Sequence, residues 1–96
     1  MESGKILNQI LVEIIKHQEK VVGNLVWSEL EKIPGVEVRS RERYIVALNG
    51  DPKQILNTLM DRMNELFGTI AVDVSRNAAR FLIAELPIGM VPENLK

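Results

Sequence analysis

The sequence predicts an α+β domain with the element order α-α-β-β-α-β-β. Two β-hairpins joined by a long helix would form a four-stranded, mostly antiparallel sheet with helices packed on it. Three observations predict this. Residues 51–68 carry a helix start signal, an apolar stripe and a stop signal in order. Residues 5–20 repeat apolar side chains with helical period. Residues 36–48 and 69–86 each read as two extended apolar runs around a polar turn.

The first helix is expected over Lys5–Lys20, with Ser3 as its cap. Ile6, Leu7, Ile10, Leu11, Ile14 and Ile15 cover roughly half of its circumference. Gly23 stops it, and Asn24 caps a short second helix from Leu25 to Lys32, with Leu25, Val26, Leu30 and Ile33 facing inward. The β-branched content of Val21–Trp27 also fits a strand. Pro34-Gly35 ends the second helix.

Val36-Glu37-Val38 alternates with period two. Ser40-Arg41-Glu42-Arg43 is polar, and Tyr44–Leu48 is apolar on both faces, so Val36–Leu48 reads as a hairpin. Asp51-Pro52-Lys53-Gln54 then sets out a helix start: a capping Asp, a Pro at the first helical position and a Gln at the third. Ile55, Leu56, Leu59, Met60, Met63, Leu66 and Phe67 form the apolar stripe, and Gly68 closes the helix.

Ile70, Val72 and Val74 alternate, Ser75–Ala79 reads as a turn, and Arg80–Leu86 as the returning strand of a second hairpin. Pro87, Gly89 and Pro92 make residues 87–96 an extended tail of the single domain 1–96. An offset of 36 residues places Glu29-Leu30 on Glu65-Leu66 and Val36-Glu37-Val38 on Val72-Asp73-Val74. With one inserted turn residue, Arg43–Ala47 falls on Arg80–Ala84. An internal α-β-β repeat would explain this match, and so would the small alphabet that strands draw on.

Composition narrows the function classes. The chain has no cysteine, which removes disulfides, thiol catalysis and cysteine-ligated metals. Its net charge of -1 offers no broad electrostatic attraction to nucleic acid or to a membrane surface. No apolar run approaches the roughly 20 residues of a membrane span. Glu2 and a broken apolar stretch do not read as a secretory signal, so a cytoplasmic location is expected.

Candidate chemistry is sparse. The one histidine, His17, stands a helical turn after Glu13 and has no second histidine to share a metal. Asp61 and Glu65, beside Arg62, form a carboxylate pair on the polar face of the long helix; Glu37 and Asp73 sit on the solvent side of the two hairpins. All read as solvated faces. Asn49-Gly50-Asp51-Pro52 leads into a helix N-terminus, but Asp51 would occupy it and repel an anion. Neither a metal nor a cofactor is expected.

Three functional expectations follow. The leading one is a non-enzymatic, self-associating interaction or regulatory module. Its homodimer interface would be Ile6, Ile10 and Ile14, one edge of a stripe wider than a single packing contact needs. The alternative is a binder of small, apolar ligands with a pocket between the long helix and the sheet, lined by Trp27, Met60, Met63, Phe67 and Phe81. The third is weak nucleic-acid or anion contact through Arg39, Arg41 and Arg43 at one hairpin turn and Arg76 and Arg80 at the other. The neighbouring acids Glu37, Glu42 and Asp73 count against it.

Overall fold

The computed structural model describes residues 2–95 and is mostly helical. Helices α1 (Glu2–Val22) and α2 (Leu25–Glu31) precede a two-stranded antiparallel hairpin of β1 (Val36–Ser40) and β2 (Ile45–Leu48). Helices α3 (Pro52–Phe67) and α4 (Thr69–Ile83) follow, then single 3-10 turns at Ile88–Met90 and Glu93–Leu95.

The expected four-stranded sheet is therefore corrected. Residues 69–83 form one helix where a second hairpin was expected. The β-branched alternation of Ile70, Val72 and Val74 fits a strand, but the side chains that α4 buries are Ala71, Ser75 and Ala79, four residues apart. These small groups let α4 lie close against α1, and packing overrides local β-propensity. The α-β-β repeat falls with the second hairpin, since Val36–Val38 is strand and Val72–Val74 is helix.

α1 is the centre of the molecule. Leu7, Ile10, Leu11, Ile14, Ile15 and Gln18 have no exposed surface, and α4, α2, α3 and β2 surround them. Both edges of its apolar stripe are thus covered within one chain, mainly by α4. The helix extends beyond the expected Lys5–Lys20 at both ends; the Ser3 side chain lies outside the described residues. Asn24 makes no side-chain cap on α2, and Leu25, expected inside, is exposed, while Val26, Trp27 and Leu30 are buried.

α3 starts where its signals stand. Asp51 accepts a hydrogen bond from the Lys53 N–H at 3.0 Å, and Pro52 is the first helical residue. Ile55, Leu56, Leu59, Met60 and Met63 are buried; Leu66 is exposed. Gly68, at φ 80 and ψ -169, ends α3 with its N–H on Asn64 O and begins α4 at once. Only glycine adopts this backbone readily, so the chain turns a helix–helix corner in one residue. In the hairpin, Tyr44 is a turn residue rather than the start of β2, and a register shift lies between Val38 and Ser40. The tail is docked: Val91, Pro92 and Leu95 are buried, and Asn94 bonds Asn57 and Asp61 on α3.

Candidate functional site

Three polar arrangements and one apolar face emerge. The first joins three elements. Glu19, near the end of α1, accepts from the Trp27 indole N–H on α2 at 2.6 Å and from the Tyr44 hydroxyl at the hairpin turn. The rings of Trp27 and Tyr44 lie 5.7 Å apart, Lys16 sits over Tyr44, and Arg41 over Trp27. The Tyr44 hydrogen bond, then that of Trp27, holds the Glu19 carboxyl below the usual range against the opposing effect of burial. The same bond to Glu19, with partial burial, raises the Tyr44 phenol. Tyr44 reaches this position at φ 57, uncommon for a bulky residue. The cluster fastens α1, α2 and the hairpin together.

The second arrangement is internal. Gln18 Nε2 donates to Ala71 O at 2.6 Å and to Ser75 Oγ at 2.9 Å across the α1–α4 contact. Gln18 Oε1 is buried without a hydrogen-bond partner among the described residues.

The third is an open groove of about 270 Å³ between α3 and α4, with Met60 at its base and Asp61, Asp73, Arg76 and Asn94 around it. Asp61 accepts from Asn94 and so holds the tail, and Arg76 donates from Nε to Asn94 O at 3.2 Å. Nearby, Arg62 bonds Glu29 at 3.1 Å across to α2. The hydrogen bond from Lys32, more than the charge of Arg62, lowers the Glu29 carboxyl, with burial opposing. Glu65 is exposed and apart from this network.

Of the residues expected to line an apolar pocket, four share the chain's core and Phe81 lies apart from them. Trp27, Met60 and Met63 are fully buried core, Phe67 is half-buried, and Phe81 is 84% exposed on α4. Of the expected interface residues, Ile10 and Ile14 present no surface to a partner, and Ile6 is partly buried against the core. The arginines do not share an edge of two hairpins, because Arg76 and Arg80 lie on α4. At the hairpin, Arg41 pairs with Glu31 at 2.9 Å and Arg39 with Glu37 at 3.6 Å; Arg43 is exposed. His17 holds Glu13 O at 2.8 Å through Nδ1 on the exposed flank of α1. Among the described residues no group of three or more His, Asp or Glu side chains is placed to hold a metal, and no helix is long and apolar enough to cross a membrane.

The apolar face is the arrangement that sequence reasoning missed. Ile70 is 70% exposed on α4, Phe81 is 84% exposed, and Val74 lies between them, partly exposed. At 100° per residue these three side chains fall within about 40° of one another, along the flank of α4 beside its contact with α1. The signal was present as a spacing of four and seven residues, but it becomes visible only once residues 69–83 are read as a helix. Single exposed aliphatics are ordinary on protein surfaces, whereas several large ones in one line mark a contact surface. No family model matches the chain, nor does any curated protein or solved structure.

Proposed function

We propose that this chain is a non-enzymatic, self-associating interaction module, and that it associates through the outer flank of α4. The supporting observation is the line of Ile70, Val74 and Phe81 on one flank of α4: Ile70 and Phe81 are left open by the described residues, and Val74 between them is partly exposed. An aromatic ring left in water forgoes about 1.5–3 kcal/mol of burial, and covering it favours association. The polar clusters point the same way. Glu19, Asp61, Asn94 and Gln18 are engaged in tying elements to one another, which is a structural use of their hydrogen-bonding capacity.

Sedimentation equilibrium tests this. At about 100 μM, a concentration that populates any dimer with a micromolar dissociation constant, the chain is expected above its monomer mass of 10.9 kDa. Phe81→Glu, a change at an exposed position, is expected to return it to the monomer with unchanged helical circular dichroism. A wild-type chain that is monomeric at this concentration would overturn the reading.

A further inference from the structure

The apolar line on α4 is the visible part of a longer seam. Ile70, Val74, Asn77, Phe81 and Ala84 recur at intervals of four, three, four and three residues, the spacing with which one helix lies along another. Asn77, Phe81 and Ala84 are exposed, and Ala84 continues the helical backbone at φ -62 and ψ -19. The two edges of the seam differ. One carries Ala71 and Ala78, packed into the chain's own core beside α1. The other carries Asp73 and Arg80, both exposed and, among the described residues, in no ion pair. Asp73 and Arg80 stand seven residues apart, roughly 10 Å along the axis, too far to pair with each other within one helix.

We propose that the occupant of this seam is a second copy of the chain, bound through an antiparallel α4–α4 pair whose two-fold axis passes beside Asn77. This rests on the self-association reading above and specifies its geometry. A seam mirrored about Asn77 sets Ile70 level with the partner's Ala84, and Val74 one position from the partner's Phe81, so large side chains meet smaller ones. Asp73 comes within one position of the partner's Arg80, and the symmetry makes that pair twice. The two Asn77 amides meet at the axis, where each has both donors and an acceptor; a single polar residue in an apolar seam is a known means of setting register. A two-fold axis across antiparallel helices brings like edges together, so the exposed Asp73–Arg80 edges meet each other, as do the edges beside α1. A parallel pair would instead turn the free edge of one copy toward the edge that α1 occupies in the other. Charge complementarity thus favours one orientation of one partner.

The test combines charge reversal with cross-linking, using the full chain, which has no native cysteine. Asp73→Arg and Arg80→Asp are each expected to weaken the dimer roughly tenfold or more in sedimentation equilibrium, because each sets like charges together. The double reversal is expected to restore the wild-type dissociation constant within about threefold. Asn77→Cys is expected to form a disulfide-linked dimer on mild oxidation. Ile70→Cys alone is not, since its partner copy lies about 20 Å away along an antiparallel pair. Far-ultraviolet circular dichroism identifies any variant that fails to fold, and the cysteine pair carries the test if a charge variant does. A monomeric wild-type chain overturns both this geometry and the reading on which it rests. A stable dimer in which Ile70→Cys cross-links to itself, or in which the double reversal stays weak, overturns the geometry alone.

Discussion

The indole N–H of Trp27 donates to Glu19 Oε2 at 2.6 Å, linking α2 back to the last turns of α1 across the bend at Gly23 and Asn24. Tyr44 occupies the other carboxylate oxygen, so one side chain serves two rings that come from different elements. Trp27 and Tyr44 are the chain's single tryptophan and single tyrosine, which makes the cluster directly observable by spectroscopy.

Its pH response has a defined sign. The folded state holds the Glu19 carboxyl below its usual 4.5, so the unfolded state binds more protons on acidification. The Glu19 contribution is therefore present above about pH 4.5 and is lost as pH falls through the lowered value. For Tyr44 the raised phenol contributes below pH 10.0, and that contribution is lost as pH rises through its folded value. In Glu19→Gln, the absorbance titration of tyrosinate should move down toward 10.0, and the acid-side loss of stability, followed by Trp27 fluorescence, should become shallower. An unchanged tyrosinate midpoint would show that Glu19 does not hold the phenol in solution.

The α1–α4 contact offers a double-mutant cycle. Gln18→Met removes the donor to Ser75 Oγ and leaves that buried hydroxyl without it, at a cost of about 1–3 kcal/mol. Adding Ser75→Ala removes the orphaned hydroxyl; the unpaired Gln18 Oε1 is already lost with Gln18→Met. Urea unfolding should place the double variant close to wild type and above the Gln18→Met single variant. Strict additivity of the two substitutions would count against the coupling.

Gly68→Ala tests the one-residue corner. A Cβ meets no atom there, so any loss comes from the backbone at φ 80 and ψ -169, a conformation that costs side-chain-bearing residues about 1–3 kcal/mol. A shift of the urea midpoint by that amount, with unchanged slope, is expected.

Leu59 is fully buried on the inner face of α3. Leu59→Ala should lower stability by about 2–5 kcal/mol, the cost of lost burial plus a cavity. A near-neutral result in the same urea assay would mean that the helix face is wrongly placed.

What the sequence made legible was local. Asp51, Pro52 and Gly68 bound α3 through hydrogen bonds and backbone angles set within a few residues, and the hairpin of residues 36–48 is likewise a short-range object. α4 was not legible because its two signals conflict. Ile70, Val72 and Val74 are β-branched and alternate, whereas Ala71, Ser75 and Ala79, which decide the matter, carry little apolar surface to count. Their importance is steric and depends on α1 lying against them. The same error hid the candidate site. With residues 80–86 read as strand, Phe81 became a core ring, and the wide stripe of α1 appeared to need a partner when α4 already covers it. The Glu19 cluster draws on residues 8 and 25 positions away, and no periodicity announces such bonds.

The packing of α1 against α4 also has a consequence in time. Gln18 and Ala71, which touch in the folded chain, are 53 residues apart. At a synthesis rate of about 5–20 residues per second, the apolar stripe of α1 is made roughly 3–10 s before the helix that closes over it. When residues 70–74 do emerge, their alternating β-branched pattern suits strand pairing as well as helix until α1 is there to select the helix. Each half of the contact is thus the other's protection against misassociation, and the interval between their syntheses is when the chain is most open to aggregation.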